Sequence, residues 1–160
     1  MSITKLNNLS ISAVTALPSG VGGKVLQVIT ATDSTFRSTT STSFVTASNT
    51  MSVTITPSSA SNKVFVIVSG NLYQVTPPKY AIATIFRGAT DLGAASNKGL
   101  TNLYANPNDL GVSLCMTILD SPSTTSATTY QVYFLSGSGG TAYLNENNTK
   151  GCITAFEIGA

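Results

Sequence analysis

The chain predicts an all-β fold: an antiparallel two-sheet sandwich, jelly-roll-like, with an extended N-terminal arm. Three observations carry that reading. Ser and Thr together exceed a quarter of the 160 residues, while charged residues are only 9%, against about 25% in an ordinary domain. Thr suits a pleated surface because it is β-branched, and Ser suits turns because its hydroxyl bonds nearby backbone. The apolar runs are short, several alternate with a period of two, and turn residues separate them. No helix-forming segment lies between them, so the crossover helices of a parallel sheet are missing. Hydrophobic residues at 42% and a net charge of +2 exclude a disordered chain, and the length suffices for one core without staples.

Residues 1–22 read as an arm. Ile3, Leu6, Leu9, Ile11, Val14 and Leu17 are spaced by two or three, with polar residues between them, and the stretch closes in Leu17-Pro18-Ser19-Gly20-Val21-Gly22-Gly23. Helix formers, caps and strict alternation are all lacking. These six apolar side chains therefore need another surface, and they are the candidate partner-binding residues. The expected acceptor is a neighbouring subunit or a larger assembly. An extra strand completing the chain's own sheet is the alternative.

Residues 23–160 read as the sandwich. Lys24–Thr32 is β-rich, and Ser43–Ala47 is a short strand after a Ser/Thr loop. Met51–Thr56 places Met51, Val53 and Ile55 on one face and Ser52, Thr54 and Thr56 on the other, the mark of a strand with one wet face. Lys63–Gln74 is the strongest apolar run, expected to be central and buried on both faces over its first part. Tyr80–Arg87 is the next strand, and residues 88–109 read as loop. Val112–Asp120, Thr129–Leu135, Thr141–Leu144 and Cys152–Ile158 complete the set, with a polar loop at Asn145–Lys150. The expected core is Val64, Val66, Val68, Ile85, Leu114, Ile118, Val132, Phe134 and Phe156. Cys115 and Cys152 are expected as two buried free thiols.

Little chemistry is legible. The chain has no histidine, which removes the commonest general base and metal ligand. The six carboxylates, Asp33, Asp91, Asp109, Asp120, Glu146 and Glu157, follow no catalytic spacing. Gly137–Gly140 lacks the lysine and helix of a phosphate loop, and Asn145–Asn148 does not match a calcium loop. The chain therefore reads as no enzyme, without cofactor or metal. Its cations are scattered singly, which argues against nucleic acid. No apolar run of about 20 residues spans a membrane. The first residues lack the apolar core of a signal peptide, so synthesis in a cytoplasm is expected. Six tyrosines, Tyr73, Tyr80, Tyr104, Tyr130, Tyr133 and Tyr143, read as core rings with surface hydroxyls, or as a cluster able to stack on sugars.

Several segments occur in a recognisable order: Gly22-Gly23-Lys24-Val25-Leu26-Gln27-Val28, Phe36–Phe44 with its Ser/Thr run, Val53-Thr54-Ile55-Thr56-Pro57-Ser58-Ser59, Asn62-Lys63-Val64 and Ile85-Phe86-Arg87-Gly88. This order resembles virion surface proteins of tailed bacteriophages of aquatic bacteria, both head decoration (cement) proteins and tail-fibre modules. The resemblance covers most of residues 22–90 and is looser beyond. It implies a jelly-roll-like sandwich that assembles as a homotrimer on a virion, and it carries no catalytic residue. No fibre shaft accompanies the sandwich. That favours a decoration protein bound to a major capsid protein or another virion protein. The alternative is a receptor-binding tip, with a host glycan as its ligand.

Overall fold

The computed structural model describes residues 24–47, 51–75, 79–96, 98–137 and 139–160. The arm residues Ile3, Leu6, Leu9, Ile11, Val14 and Leu17 lie outside the described residues. The chain runs through β1 (Val25–Asp33), β2 (Arg37–Thr39), β3 (Val45–Thr46), β4 (Ser52–Ile55), β5 (Lys63–Val75), β6 (Lys79–Arg87), β7 (Thr90–Asp91), β8 (Thr101–Ala105), β9 (Leu110–Asp120), β10 (Thr128–Ser136), β11 (Thr141–Leu144) and β12 (Gly151–Ile158). One 3-10 turn, Glu146–Asn148, separates the last two.

These segments form eight long strands, four of them broken once. β11 and β12 pair with successive stretches of β5, and β2 and β1 pair with β11 and β12 in turn. β3 and β4 pair with successive stretches of β10, as β7 and β8 do with β6. The first sheet then reads β1/β2, β11/β12, β5, β9, and the second reads β3/β4, β10, β6, β7/β8, all antiparallel. In chain order these are strands 1, 8, 3, 6 facing strands 2, 7, 4, 5. That is the double Greek key of a jelly roll.

The breaks have visible causes. Asn145, buried and in the left-handed region at φ 53°, interrupts β11/β12. Its backbone N–H donates to Asn71 O at 3.0 Å and its Nδ2 to Asp33 O at 3.1 Å. One residue, through its backbone and its side chain, thus ties three strands where β1/β2 also breaks. Gly70 and Gly151 leave the room: a Cβ on either would stand 3.1 or 2.8 Å from Asn145 Oδ1. The break in β7/β8 is a small loop. Asp91 Oδ1 holds it by accepting from Gly93 N–H (2.8 Å) and from the Thr84 hydroxyl (2.7 Å).

The core lies between the sheets. Val64, Val66, Val68, Ile85, Leu114, Val132 and Phe134 are buried as expected, and Ile118 is half-buried against them. Phe156 corrects the expectation. Along β12 Ile153, Ala155 and Glu157 point inward, which turns Phe156 outward. β5 is central, yet only its inner residues are fully buried; Phe65 and Ile67 on its outer side are half-buried. Residues 88–109 contain two strands, β7 and β8, where a loop was expected. Both cysteines are free but outward: Cys115 is exposed and Cys152 half-buried. They pair with Ser69 from opposite sides of β5. Two strand spacings, about 10 Å, separate them, too far for a disulfide.

A candidate docking face on the first sheet

Register settles what the first sheet presents to solvent. Val28 pairs with Phe156, Phe156 with Phe65, and Phe65 with Leu119. One apolar row therefore crosses all four strands on the outer side. Its ends are open, Val28 and Leu119 each being 52% exposed. The rings of Phe65 and Phe156 lie 6.3 Å apart in the middle. The next row is Thr30, Thr154, Ile67, Thr117, and the one beyond is Thr32, Cys152, Ser69, Cys115. Thr30 and Thr154 share a hydrogen bond at 2.9 Å. An apolar band thus borders a band of hydroxyls.

Behind this face lies a buried carboxylate. Glu157, 1% exposed, points into the sandwich. Its Oε1 accepts from Ser58 N–H (2.6 Å), Ser58 Oγ (2.7 Å) and Asn62 Nδ2 (2.6 Å), and Oε2 accepts from Gln27 Nε2 (3.3 Å). Burial pushes its pKa up, but these hydrogen bonds outweigh burial and hold the carboxyl below its ordinary value. Asn62 Oδ1 also accepts from Ala160 N–H at 3.2 Å, and Gly159 N–H donates to Lys24 O at 2.8 Å. The knot ties Lys24 and the last two residues together, and Lys24 stands at the edge strand of the apolar face. In the sequence Glu157 alternates onto the same side as Ile153 and Ala155; that pattern was the available signal for its burial.

The remaining polar groups bind the sandwich together. Asp120 on β9 pairs with Arg87 on β6 at 2.7 Å and accepts from the Tyr130 hydroxyl on β10 at 2.7 Å, joining the two sheets. Burial, with Asp120 beside it, pushes the Tyr130 hydroxyl up. Of the other tyrosines, Tyr73 and Tyr143 pair across β5 and β11, with Phe36 stacked on Tyr143 at 5.1 Å. Tyr80 and Tyr104 are exposed and opposite each other on β6 and β8. Beside them is a cleft of about 320 Å³ whose lining includes Thr42, Tyr80, Ser96 and Lys98. Among the described residues no three His, Cys, Asp or Glu side chains group as metal ligands, and no helix is long and apolar enough to cross a membrane.

No protein family matches the chain, and no curated protein matches it. One solved structure similar to it is the D431N mutant VP2 protein of infectious bursal disease virus, from derived T=1 particles. The identity is 15% and the TM-score 0.34, over 82% of this chain and 36% of that one. The chain therefore spans little more than a third of that protein's length. The jelly-roll topology itself stands on the strand order of this chain.

Proposed function

We propose that the protein is a viral structural protein, a homotrimeric decoration (cement) protein that binds the outer surface of a phage head and stabilises it. The observation that carries the reading is the open apolar row Val28, Phe156, Phe65, Leu119 across one face of the sandwich. A four-residue apolar band ending in two half-exposed side chains is a surface for association, since each side chain buried there contributes roughly 1.5–3 kcal/mol. Asp33, Asp91, Asp120 and Glu157 accept structural hydrogen bonds, which suits a body without catalysis. The arm, residues 1–22, is the anchor, with Ile3, Leu6, Leu9, Ile11, Val14 and Leu17 as its contacts. Repetition over many copies turns such weak contacts into avidity. Synthesis is in the host cytoplasm, and the partner is the major capsid protein or another virion protein.

The test is the copy number and position of the protein in purified particles. Hundreds of copies over the head support decoration. Tens of copies on the tail transfer the role to the receptor-binding alternative, and absence from particles overturns both. One observation favours that alternative: Tyr80 and Tyr104 offer two exposed rings beside the cleft that holds Lys98 and Thr42, an arrangement able to stack on and hydrogen-bond a sugar. Glycan binding abolished by Tyr104→Ala would establish it.

A further inference from the structure

The outer face of the first sheet has a specific occupant. We infer that residues 3–17 of a neighbouring copy lie across the row Val28, Phe156, Phe65, Leu119, so that copies join by exchanging arms. The inference rests on the proposed function in one respect, that the arm is an anchor; it names the acceptor and makes it this same chain.

Three features of the molecule point this way. The first is where the chain goes. Residues 1–23 precede Lys24, whose carbonyl is fixed by Gly159 N–H at 2.8 Å. β1 begins there, at the edge of the apolar face, and its own Val25 and Leu26 are exposed. The second is length. Residues 3–17 in extended form would span about 50 Å, against about 14 Å for a row that crosses four strands. A segment of that length overhangs one such row but bridges two adjacent ones. Pro18, Gly20, Gly22 and Gly23 punctuate the sequence between arm and body.

The third is the chemistry of the face. A second sheet packed flat against it would bring backbone groups already bonded to one another. An extended peptide brings N–H and C=O groups that need partners. The hydroxyls of Thr30, Thr154 and Thr117, with Thr32 and Ser69 beyond, lie directly beside the apolar row. The arm has the matching pattern, apolar residues separated by Ser, Thr and Asn. Arm and face are different surfaces, so the contact is head-to-tail, the kind that closes into a ring when the rotation between copies allows.

The experiment uses the full-length chain and needs no virus particle, so its outcome is independent of where the protein resides. Light scattering on a dilution series should give a multiple of the 16.5 kDa chain mass. Val28→Asp with Leu119→Asp should weaken association by about 100-fold or more, because two apolar side chains leave the interface. Leu6→Ser with Leu9→Ser and Ile11→Ser should do the same. Combining the two sets should add nothing, because both remove one interaction. Val28 and Leu119 are half-exposed, so an unchanged melting temperature is the expected folding control; Val28→Thr with Leu119→Thr is the milder pair. A monomeric wild type overturns the inference. So does an arm variant that dissociates the assembly while the face variant leaves it intact.

Discussion

The outer faces of the two sheets start from the same kind of strand and end differently. In the first sheet Val28, Phe156, Phe65 and Leu119 stand outward, and among the described residues the two ends of the row, Val28 and Leu119, stay half-exposed. In the second, the outward residues of the central strand β6 are Tyr80, Ile82, Thr84 and Phe86, and the body covers the last three itself. The loop between β7 and β8 folds close enough that a Cβ on Gly99 would meet Ile82 and one on Gly93 would meet Thr84, both at 2.5 Å. Phe86 stacks on Tyr133 at 4.1 Å, with Phe44 at its edge. Toward the other end the surface is hydroxyls, Thr54 bonded to Thr129 at 2.8 Å. Apart from Tyr80 and Tyr104 at one end, the second face is finished within the chain, whereas among the described residues the first keeps an unfinished apolar row.

Two phenylalanines test whether inside and outside are assigned correctly. Phe134 on β10 is 1% exposed between the sheets, whereas Phe156 is half-buried on the open face. Phe134→Ala should cost about 3–5 kcal/mol, the usual range for an emptied core site. Phe156→Ala should cost about 1 kcal/mol in the dissociated chain, because much of its surface is already wet. Denaturation midpoints in urea, read at concentrations where the protein is monomeric, give both numbers. Equal losses would place Phe156 inside and remove the apolar row.

Glu157 sharpens the same contrast, since β12 turns a ring outward and a carboxylate inward. Glu157→Ala leaves Ser58 N–H and Asn62 Nδ2 without their acceptor and should cost about 3 kcal/mol, one to three for each orphaned group. The folded carboxyl titrates below its ordinary value of 4.5. Its contribution is therefore present above 4.5 and is lost as pH falls through the lower, folded value. Thermal melts from pH 7 down to pH 3 should show stability falling with acid in the wild type, and a shallower fall in Glu157→Gln. Identical profiles would mean that the knot at the end of the sheet contributes nothing.

Much of the fold is legible in the sequence, and the reasons it stops are physical. Met51 to Ile55 and Tyr130 to Phe134 announce strand and phase together, because one face is apolar and the other polar. β7 and β8 are hidden because the segment carries Gly, Asn and Pro, and only Leu103 and Ala105 of β8 turn inward. β12 gives its alternation but not its phase. Charge argues that Glu157 faces water, and only the donors from Ser58, Asn62 and Gln27, distant in sequence, reverse that. The docking face needs register across four strands, and no single strand announces it: Val28 and Leu119 are about 90 residues apart in the chain and meet only through β12 and β5. Residues 1–22 are read as an arm because their apolar residues lack a pattern that would bury them, and they lie outside the described residues.

Asp91 tests the covered face. Its Oδ1 holds both Thr84 and Gly93, and Thr84 is buried. Asp91→Ala should cost about 1–3 kcal/mol for the orphaned hydroxyl. It should also speed hydrogen exchange at Ala94 and Leu100, whose amides bond Gly99 O and Ala83 O, before it affects β5. Uniform acceleration throughout the chain would mean that the loop is no separate cover but part of the global unfolding unit.

The smallest effect on stability belongs to the open face, and its smallness is the point. Val28→Thr with Leu119→Thr keeps both residues β-branched or strand-compatible and removes apolar surface that is already 52% exposed. In the dissociated chain the melting temperature should shift by less than about 2 °C, because surface changes of this kind stay within about 0.5 kcal/mol. Binding of a hydrophobic dye should fall at the same time, since these two residues form the open ends of the apolar row. The same substitutions on the inner side would unfold the sandwich. A melting temperature that drops by about 10 °C would show that the row supports the body itself, and the distinction between a finished and an unfinished face would fail. A dye signal that survives intact would place the exposed apolar surface elsewhere, and the cleft beside Tyr80 and Tyr104 would be the next place to look.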